Sequence, residues 1–249
     1  DAADHNQNIE KCPQRYKYSF TTHSVDALRS RVMLYMGKWK EAREAADRVL
    51  SRQNTLSSLS NELPNAYNSA ENILALEQIM TAQYARAFKV NRDFYRLYAS
   101  SDLRRRAYFN QVTTSNILLI KGGSNTYTCS FRVAEMLLNA AEAACHEGNT
   151  DQAAEYLLTL QRKRFNDNGA AKEAAVASMN ADELLKEILE ERARELAFEG
   201  HRWFDLRRTT RPRIERTYRG ETYVLEENDD RYTIRIPSEA IAANPGLAD

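Results

Sequence analysis

The chain has 249 residues, with 35 Lys and Arg against 35 Asp and Glu, and hydrophobic side chains make up 43% of it. That is room for one large domain or two small ones with an ordinary core, and zero formal charge gives no global pull toward nucleic acid or an anionic membrane. No run of 18 apolar residues is present, so no segment reads as a membrane-spanning helix.

The opening stretch, DAADHNQNIEKCPQRYKYSF, is polar and lacks the apolar segment of a secretion signal. It reads as a start in mid-protein. From Ser24 to Arg52 the apolar residues Val25, Leu28, Val32, Met33 and Met36 recur at helical spacing. Gly37-Lys38 breaks the run, and Trp39, Ala42, Ala46, Val49 and Leu50 begin a second helix. The spacing predicts a helical hairpin.

Residues 53–130 are less regular and rich in Tyr and Phe. Glu71 to Met80 reads as a short strand or helix, and Asn116 to Lys121 as a strand ended by Gly122-Gly123. A second hairpin runs from Phe131 to Arg164, with Val133, Leu137, Leu138, Ala141 and Ala144 on one helix and Ala153, Leu157 and Leu160 on the next. Its break, GNTDQAAEYLLTLQ, aligns with the first, GKWKEAREAADRVL. Each has a Gly for the turn and an Ala five residues later that lets the helices approach closely. Both pairs resemble the helix pair of a tetratricopeptide repeat. Two separated pairs do not make a solenoid by themselves, so they must stack on each other or on other chain.

Asn180, with Glu183 three residues on, predicts a capped helix start, and the helix is expected to run to Gly200. Leu184, Leu185, Ile188, Leu189 and Leu196 share one arc, and Lys186, Glu187, Glu190 and Arg194 fall on the opposite, solvated side. Arg192, Glu195 and Glu199 sit within the apolar arc. Beyond Pro212, Thr222–Leu225 and Tyr232–Ile236, separated by Asn228-Asp229-Asp230, read as a β-hairpin.

The stretch ELAFEGHRWFDLRR, residues 195–208, poses the main chemical question. Charges pressed into a core must be paired. Arg192 is within reach of Glu195 or Glu199, and Arg202, Asp205 and Arg208 can return to the same surface after the turn at Gly200. A structural ion network of Arg192, Glu195, Glu199, Arg202, Asp205 and Arg208 is the favoured reading. A glycosidase pair, Glu195 with Glu199, is the catalytic alternative, since residues one helical turn apart satisfy the spacing such enzymes need. No nucleophile motif, phosphate loop, dinucleotide fingerprint or zinc spacing accompanies it. Cys12, Cys129 and Cys145 are scattered and odd in number, which argues against a disulfide framework. No metal and no cofactor are expected.

The same stretch resembles the C-terminal signature of the SusD/RagB family of Bacteroidetes surface nutrient-binding lipoproteins. RIPSEAIAANPGL is similar to that family's closing motif. FRVAEMLLNAAEAACHEGNTDQAAEYLLTLQRKRF and ALRSRVMLYMGKWKEAREAADRVL resemble its repeats, and ASSDLRRRAYF its Asp-x-Arg segment. Five segments in the family's order span residues 24–247. The resemblance implies a mostly α, tetratricopeptide-like superhelix with a small β-hairpin near the C-terminus. It is taken as a single domain over 1–249, corresponding to the C-terminal part of a longer protein. It also implies a non-catalytic protein, lipid-anchored at the outer membrane and facing outward, that captures a glycan or other nutrient and passes it to a TonB-dependent, SusC-like transporter. Sugars stack on aromatic rings while their hydroxyls bond to polar groups, which makes Tyr67, Tyr84, Tyr95, Tyr98 and Tyr108 the candidate ligand contacts. Trp39 and Trp203 are read as packing. A helical-repeat scaffold that binds only proteins is the other alternative.

Overall fold

The computed structural model describes residues 17–59, 63–76, 89–121 and 130–247. Both expected helical hairpins form. In the first, α1 (Thr22–Tyr35) and α2 (Trp39–Leu50) are joined at Gly37; in the second, α5 (Val133–His146) and α6 (Thr150–Gln161) are joined at Gly148. Each glycine has a left-handed backbone, φ +69° and +80°, where a side chain would be strained. Ala42 and Ala153, the small residues five positions on, are fully buried at the helix contacts.

Helix α5 is the central element. Residues Val133 to Cys145 are all buried, and α1, α2, α6 and the helix α8 (Ala181–Glu195) surround it. The main apolar core, including Leu74, Val133, Met136, Leu137, Leu157, Leu160 and Ile188, is gathered around it. Polar residues run down α5 as well. Glu135 takes two hydrogen bonds of 2.6 Å from Arg31 on α1, and Asn139 donates to Ser30 at 3.1 Å.

Helix α1 corrects the expectation drawn from its hydrophobic spacing. Its buried residues are Ser24, Ala27, Ser30 and Leu34, while Val25, Leu28, Val32 and Met36 are 41–58% exposed. Small side chains bring α1 close to its neighbours, and the larger apolar stripe faces outward.

Between the hairpins lie short elements: β1 (Asn72–Leu74), α3 (Arg92–Tyr95), α4 (Arg104–Ala107), β2 (Phe109–Gln111), β3 (Ile117–Leu119) and β4 (Phe131–Arg132). β1 pairs antiparallel with β4, and β2 with β3. A second, aromatic core forms here, in which Phe94, Tyr95, Tyr98, Phe109 and Phe198 meet edge to face at 5.0–6.1 Å. α7 (Ala170–Val176) precedes α8. Asn180 caps α8 through the backbone N–H groups of Asp182 and Glu183, and Glu183 bonds back to Asn180 N–H, as its spacing predicts. The helix stops at Glu195 rather than Gly200. Phe198 and Gly200 both take positive φ, 63° and 85°.

The chain divides after Gly200 into two compact units. The second holds α9 (Arg202–Arg208), a hairpin of β5 (Ile214–Tyr218) and β6 (Glu221–Leu225), a 3-10 turn at Asp230–Tyr232 and α10 (Ser238–Ala243). The hairpin corrects the expected pairing. Thr222–Leu225 is a strand, but its partner is 214–218, and Tyr232 sits in the 3-10 turn. Arg219 and Gly220, with φ 51° and 86°, make the two-residue turn whose handedness matches strand twist. Trp203 stacks on Tyr232 at 5.1 Å, and Trp39 on His146 at 3.9 Å, so both tryptophans pack.

The α1 assignment gives a direct test. Leu34→Ala is expected to lower the free energy of unfolding by about 2–4 kcal/mol, and Val32→Ala by less than about 1 kcal/mol. Urea denaturation of the two variants beside the parent chain measures the difference.

Candidate functional site: a buried ion network

The network is assembled by backbone pairings that place charged residues from distant segments side by side. The β1–β4 pair sets Asn72 opposite Arg132, and Val133 N–H donates to the Glu71 carbonyl at 3.0 Å. This brings Glu71 against Arg132. An isolated bridge joins Asp102 to Phe165, and Leu103 N–H donates to the Arg164 carbonyl at 2.9 Å. This brings Arg104 and Arg164 together. Lys121 follows β3, and its N–H bonds to the Tyr108 carbonyl at 3.2 Å. Helix α8 runs past all of them.

Glu195 is the hub. Its carboxylate accepts from Arg132 at 2.6 Å, from Arg104 at 2.8 Å and from Arg164 twice at 3.0 Å. Its backbone carbonyl, freed by the end of α8, accepts from Lys121 at 2.7 Å and Arg132 at 2.8 Å. Cations at a helix C-terminus satisfy orphan carbonyls and suit the helix dipole. Glu199 receives a two-pronged Arg132 guanidinium at 2.8 and 2.9 Å and Lys121 at 2.6 Å. Glu71 accepts from Arg164 at 2.5 Å, Arg132 at 3.1 Å and the Ser57 hydroxyl at 2.8 Å. Glu191 binds Arg104 and Arg194, and Asp102 clamps Arg104 at 2.8 and 2.9 Å. The cations Arg104, Lys121, Arg132, Arg164 and Arg194 thus face the carboxylates of Glu71, Asp102, Glu191, Glu195 and Glu199, Arg194 also binds Glu187 at 2.8 Å, and all of these residues are buried.

Burial resists ionisation of Glu191, Glu195 and Glu199, and the adjacent cations outweigh it. Glu199 is brought down to about 2 by Arg132 and Lys121, and Glu191 to about 2 by Arg104 and Arg194. Glu195 is held well below the usual carboxylate range by Arg164, Arg132 and Arg104 against the same penalty. Burial, helped by Arg132, lowers Lys121, while Glu199 and Glu195 work against it. The Tyr98 phenol, raised by burial, donates to the Arg194 carbonyl at 2.8 Å.

The residues anticipated from the signature are placed as follows. Glu195 and Glu199 are in the network. Arg192 is buried and donates to Asn139 at 2.7 Å, with Glu142 at 3.8 Å, so it is tied to α5. Arg202, Asp205 and Arg208 lie in the second unit, where Asp205 accepts from Arg208 at 2.7 Å. The reading that put Glu187 and Arg194 on a solvated face is corrected: both are buried, Arg194 at the enclosed end of α8 and Glu187 beneath its partners Gln161, Lys172 and Arg194. The long-range members Glu71, Asp102, Arg104, Lys121, Arg132 and Arg164 were not anticipated. Asp102 and Arg104 do stand in the quoted Asp-x-Arg segment, which was the available signal.

The tyrosine candidates also need correction. Tyr95, Tyr98 and Tyr108 are buried in the aromatic core, so their rings are committed to neighbours rather than offered to a ligand. Tyr67 is half-buried in a loop, and Tyr84 lies outside the described residues. Cys145 is a buried free thiol, and Cys12 and Cys129 lie outside the described residues.

Chemically, the Glu195 and Glu199 carboxylates belong to the interior. Both carboxylates are saturated by cations inside the protein. The fold and its charged interior therefore define a class: helical-repeat scaffolds locked by a buried ion network. A model of the SusD family (SusD_RagB) matches residues 33–248, and the chain belongs to that family. Solved structures agree in fold. A SusD superfamily protein from Bacteroides thetaiotaomicron has a TM-score of 0.72 and 23% identity, over 98% of this chain and 63% of that one. A SusD superfamily protein from Bacteroides fragilis gives 0.71 and 20%, over 93% and 57%. A SusD-like carbohydrate binding protein from Bacteroides vulgatus gives 0.68 and 21%, over 96% and 62%. The chain spans about three fifths of the length of these proteins. No sequence among curated proteins matches it.

The pH dependence follows from the lowered acids. Unfolded glutamates titrate near 4.3. Their folded values are lower, so the stability they contribute is complete above the unfolded value and is lost as pH falls toward about 2. The melting temperature is expected to be flat from about pH 5 to 7 and to drop steeply below about pH 4. Glu199→Gln leaves Arg132 and Lys121 short of charge, and is expected to cost about 3–5 kcal/mol at pH 7 and flatten the acid limb. Calorimetric melts across this pH range check both outcomes.

Proposed function

We propose that this chain is the larger part of a non-catalytic cell-surface protein that captures a glycan and hands it to a TonB-dependent outer-membrane transporter of the SusC type. The observation that carries the reading is membership of the SusD family, together with a fold shared with a carbohydrate binding protein. The saturated state of Glu195 and Glu199 supports a binding role over hydrolysis. Outer-membrane attachment through a lipid anchor belongs to the same proposal. No helix among the described residues is long and apolar enough to cross a membrane. Tyr67 stays a proposed ligand contact.

A second reading has its own observation. The outward stripe of Val25, Leu28, Val32 and Met36 on α1 suits docking of another helix. This favours the helical-repeat scaffold role, which is compatible with glycan capture.

Affinity gels cast with amylopectin, xylan, galactomannan or polygalacturonate test the main reading. Retardation of the folded chain by at least one polysaccharide is expected, with calorimetry on each hit. A folded chain retarded by none of them returns the lead to the scaffold reading.

A further inference from the structure

We propose that the β5–β6 ribbon is a saccharide-binding platform, a site that rests on the glycan-capture reading and locates it. The register sets Arg216 opposite Tyr223 and Tyr218 opposite Glu221. Side chains alternate along a strand, so these four share one face, with Ile214 and Leu225 at its base. Glu215, Thr217, Thr222 and Val224 share the other. Tyr218 is 61% exposed and Tyr223 is 54% exposed.

Each of the two rings has one neighbour on the ribbon. The Tyr223 hydroxyl donates to Glu221 at 2.6 Å. The Arg219 guanidinium stands 5.2 Å from the Tyr218 ring centre, within cation–π range. The ribbon itself is braced within its unit. Arg213 pairs with Glu215 at 2.8 Å and Glu226 at 3.2 Å, and Arg231 donates to the Val224 carbonyl at 2.9 Å. A lone two-stranded hairpin is marginal in water, and these contacts, with Tyr232 bonded to the Pro212 carbonyl, fix its base.

The chemistry selects the ligand class. An aromatic ring face takes the C–H face of a pyranose, and hydroxyls around the sugar need both donors and acceptors. The Arg216 guanidinium supplies donors and the Glu221 carboxylate supplies acceptors at the edges of the rings. Charge gives a polyanion little to select this face. Arg216 stands there with Glu221, Arg219 is engaged with the Tyr218 ring, and Arg213 is paired off with Glu215 and Glu226. A neutral saccharide is therefore the occupant that fits. Pre-set rings bind it with little ordering cost.

The test is affinity electrophoresis of the whole chain in amylopectin, xylan, galactomannan and polygalacturonate gels, beside Tyr218→Ala/Tyr223→Ala, Thr217→Ala/Thr222→Ala and Tyr67→Ala. Circular dichroism and melting curves confirm that the variants are folded. Retardation by a neutral polysaccharide that weakens roughly tenfold or more in the double tyrosine variant, and persists in the threonine variant, supports the platform. Equal retardation of parent and double tyrosine variant, or loss in Tyr67→Ala alone, overturns the platform and leaves glycan capture standing. Retardation by polygalacturonate alone overturns the neutral-saccharide assignment. A folded parent chain retarded by none of the four overturns both readings. Sedimentation showing a dimer that the double tyrosine variant abolishes overturns the platform in favour of self-association.

Discussion

Three guanidinium groups, from Arg104, Arg132 and Arg164, converge on the single carboxylate of Glu195, and the architecture of the first unit is arranged to make that possible. A buried carboxylate with one cation would leave lone pairs and a costly field unanswered. Here every neighbour of Glu195 is itself answered: Arg104 by Asp102 and Glu191, Arg132 by Glu71 and Glu199, Arg164 by Glu71. The short strands and bridges of the middle region make sense as devices that deliver one charge each. β4 is only two residues long, yet it carries Arg132 to α8. The lone bridge at Asp102 aligns the segments that carry Arg104 and Arg164.

The same network explains why a signature that looks catalytic is structural. Carboxylates one helical turn apart satisfy the spacing of a hydrolytic pair, but spacing says nothing about access. With both acids held far below the usual range and enclosed, neither can donate a proton to a leaving group near neutral pH. The second unit contrasts sharply with the first, because its ribbon turns aromatic and charged side chains outward to water.

Much of the scaffold was legible from local signals. The two helical hairpins announced themselves through a glycine turn followed by a small residue, and the start of α8 through Asn180 and Glu183. Errors arose where the deciding partner is remote. On α1 two stripes have helical spacing, and hydrophobicity chose the one that faces outward; packing uses Ser24, Ala27 and Ser30, whose merit is size. The partner of β6 was missed because Ile214–Tyr218 is exposed on nearly every residue and carries no alternation, whereas Tyr232–Ile236 mimics one. The acids Glu195 and Glu199 were visible as misfits in an apolar arc, yet the cations that neutralise them come from segments 31 to 91 residues earlier in the chain. Tyr95, Tyr98 and Tyr108, expected to meet a ligand, instead fill the aromatic core beside the network.

The spread of the network along the chain also constrains how the protein reaches its native state. Glu71, Lys121, Arg132, Arg164 and Glu195 take their counter-charges in the network from segments at least 31 residues away. The helical hairpins close early, because their contacts are near in sequence, but the end of α8 cannot be buried until the distant cations arrive. Sequence separation therefore predicts that these charges enter the interior late in folding. Until they do, hydrated guanidinium and carboxylate groups keep the unfinished core open to water, and the first unit matures as one cooperative body rather than repeat by repeat.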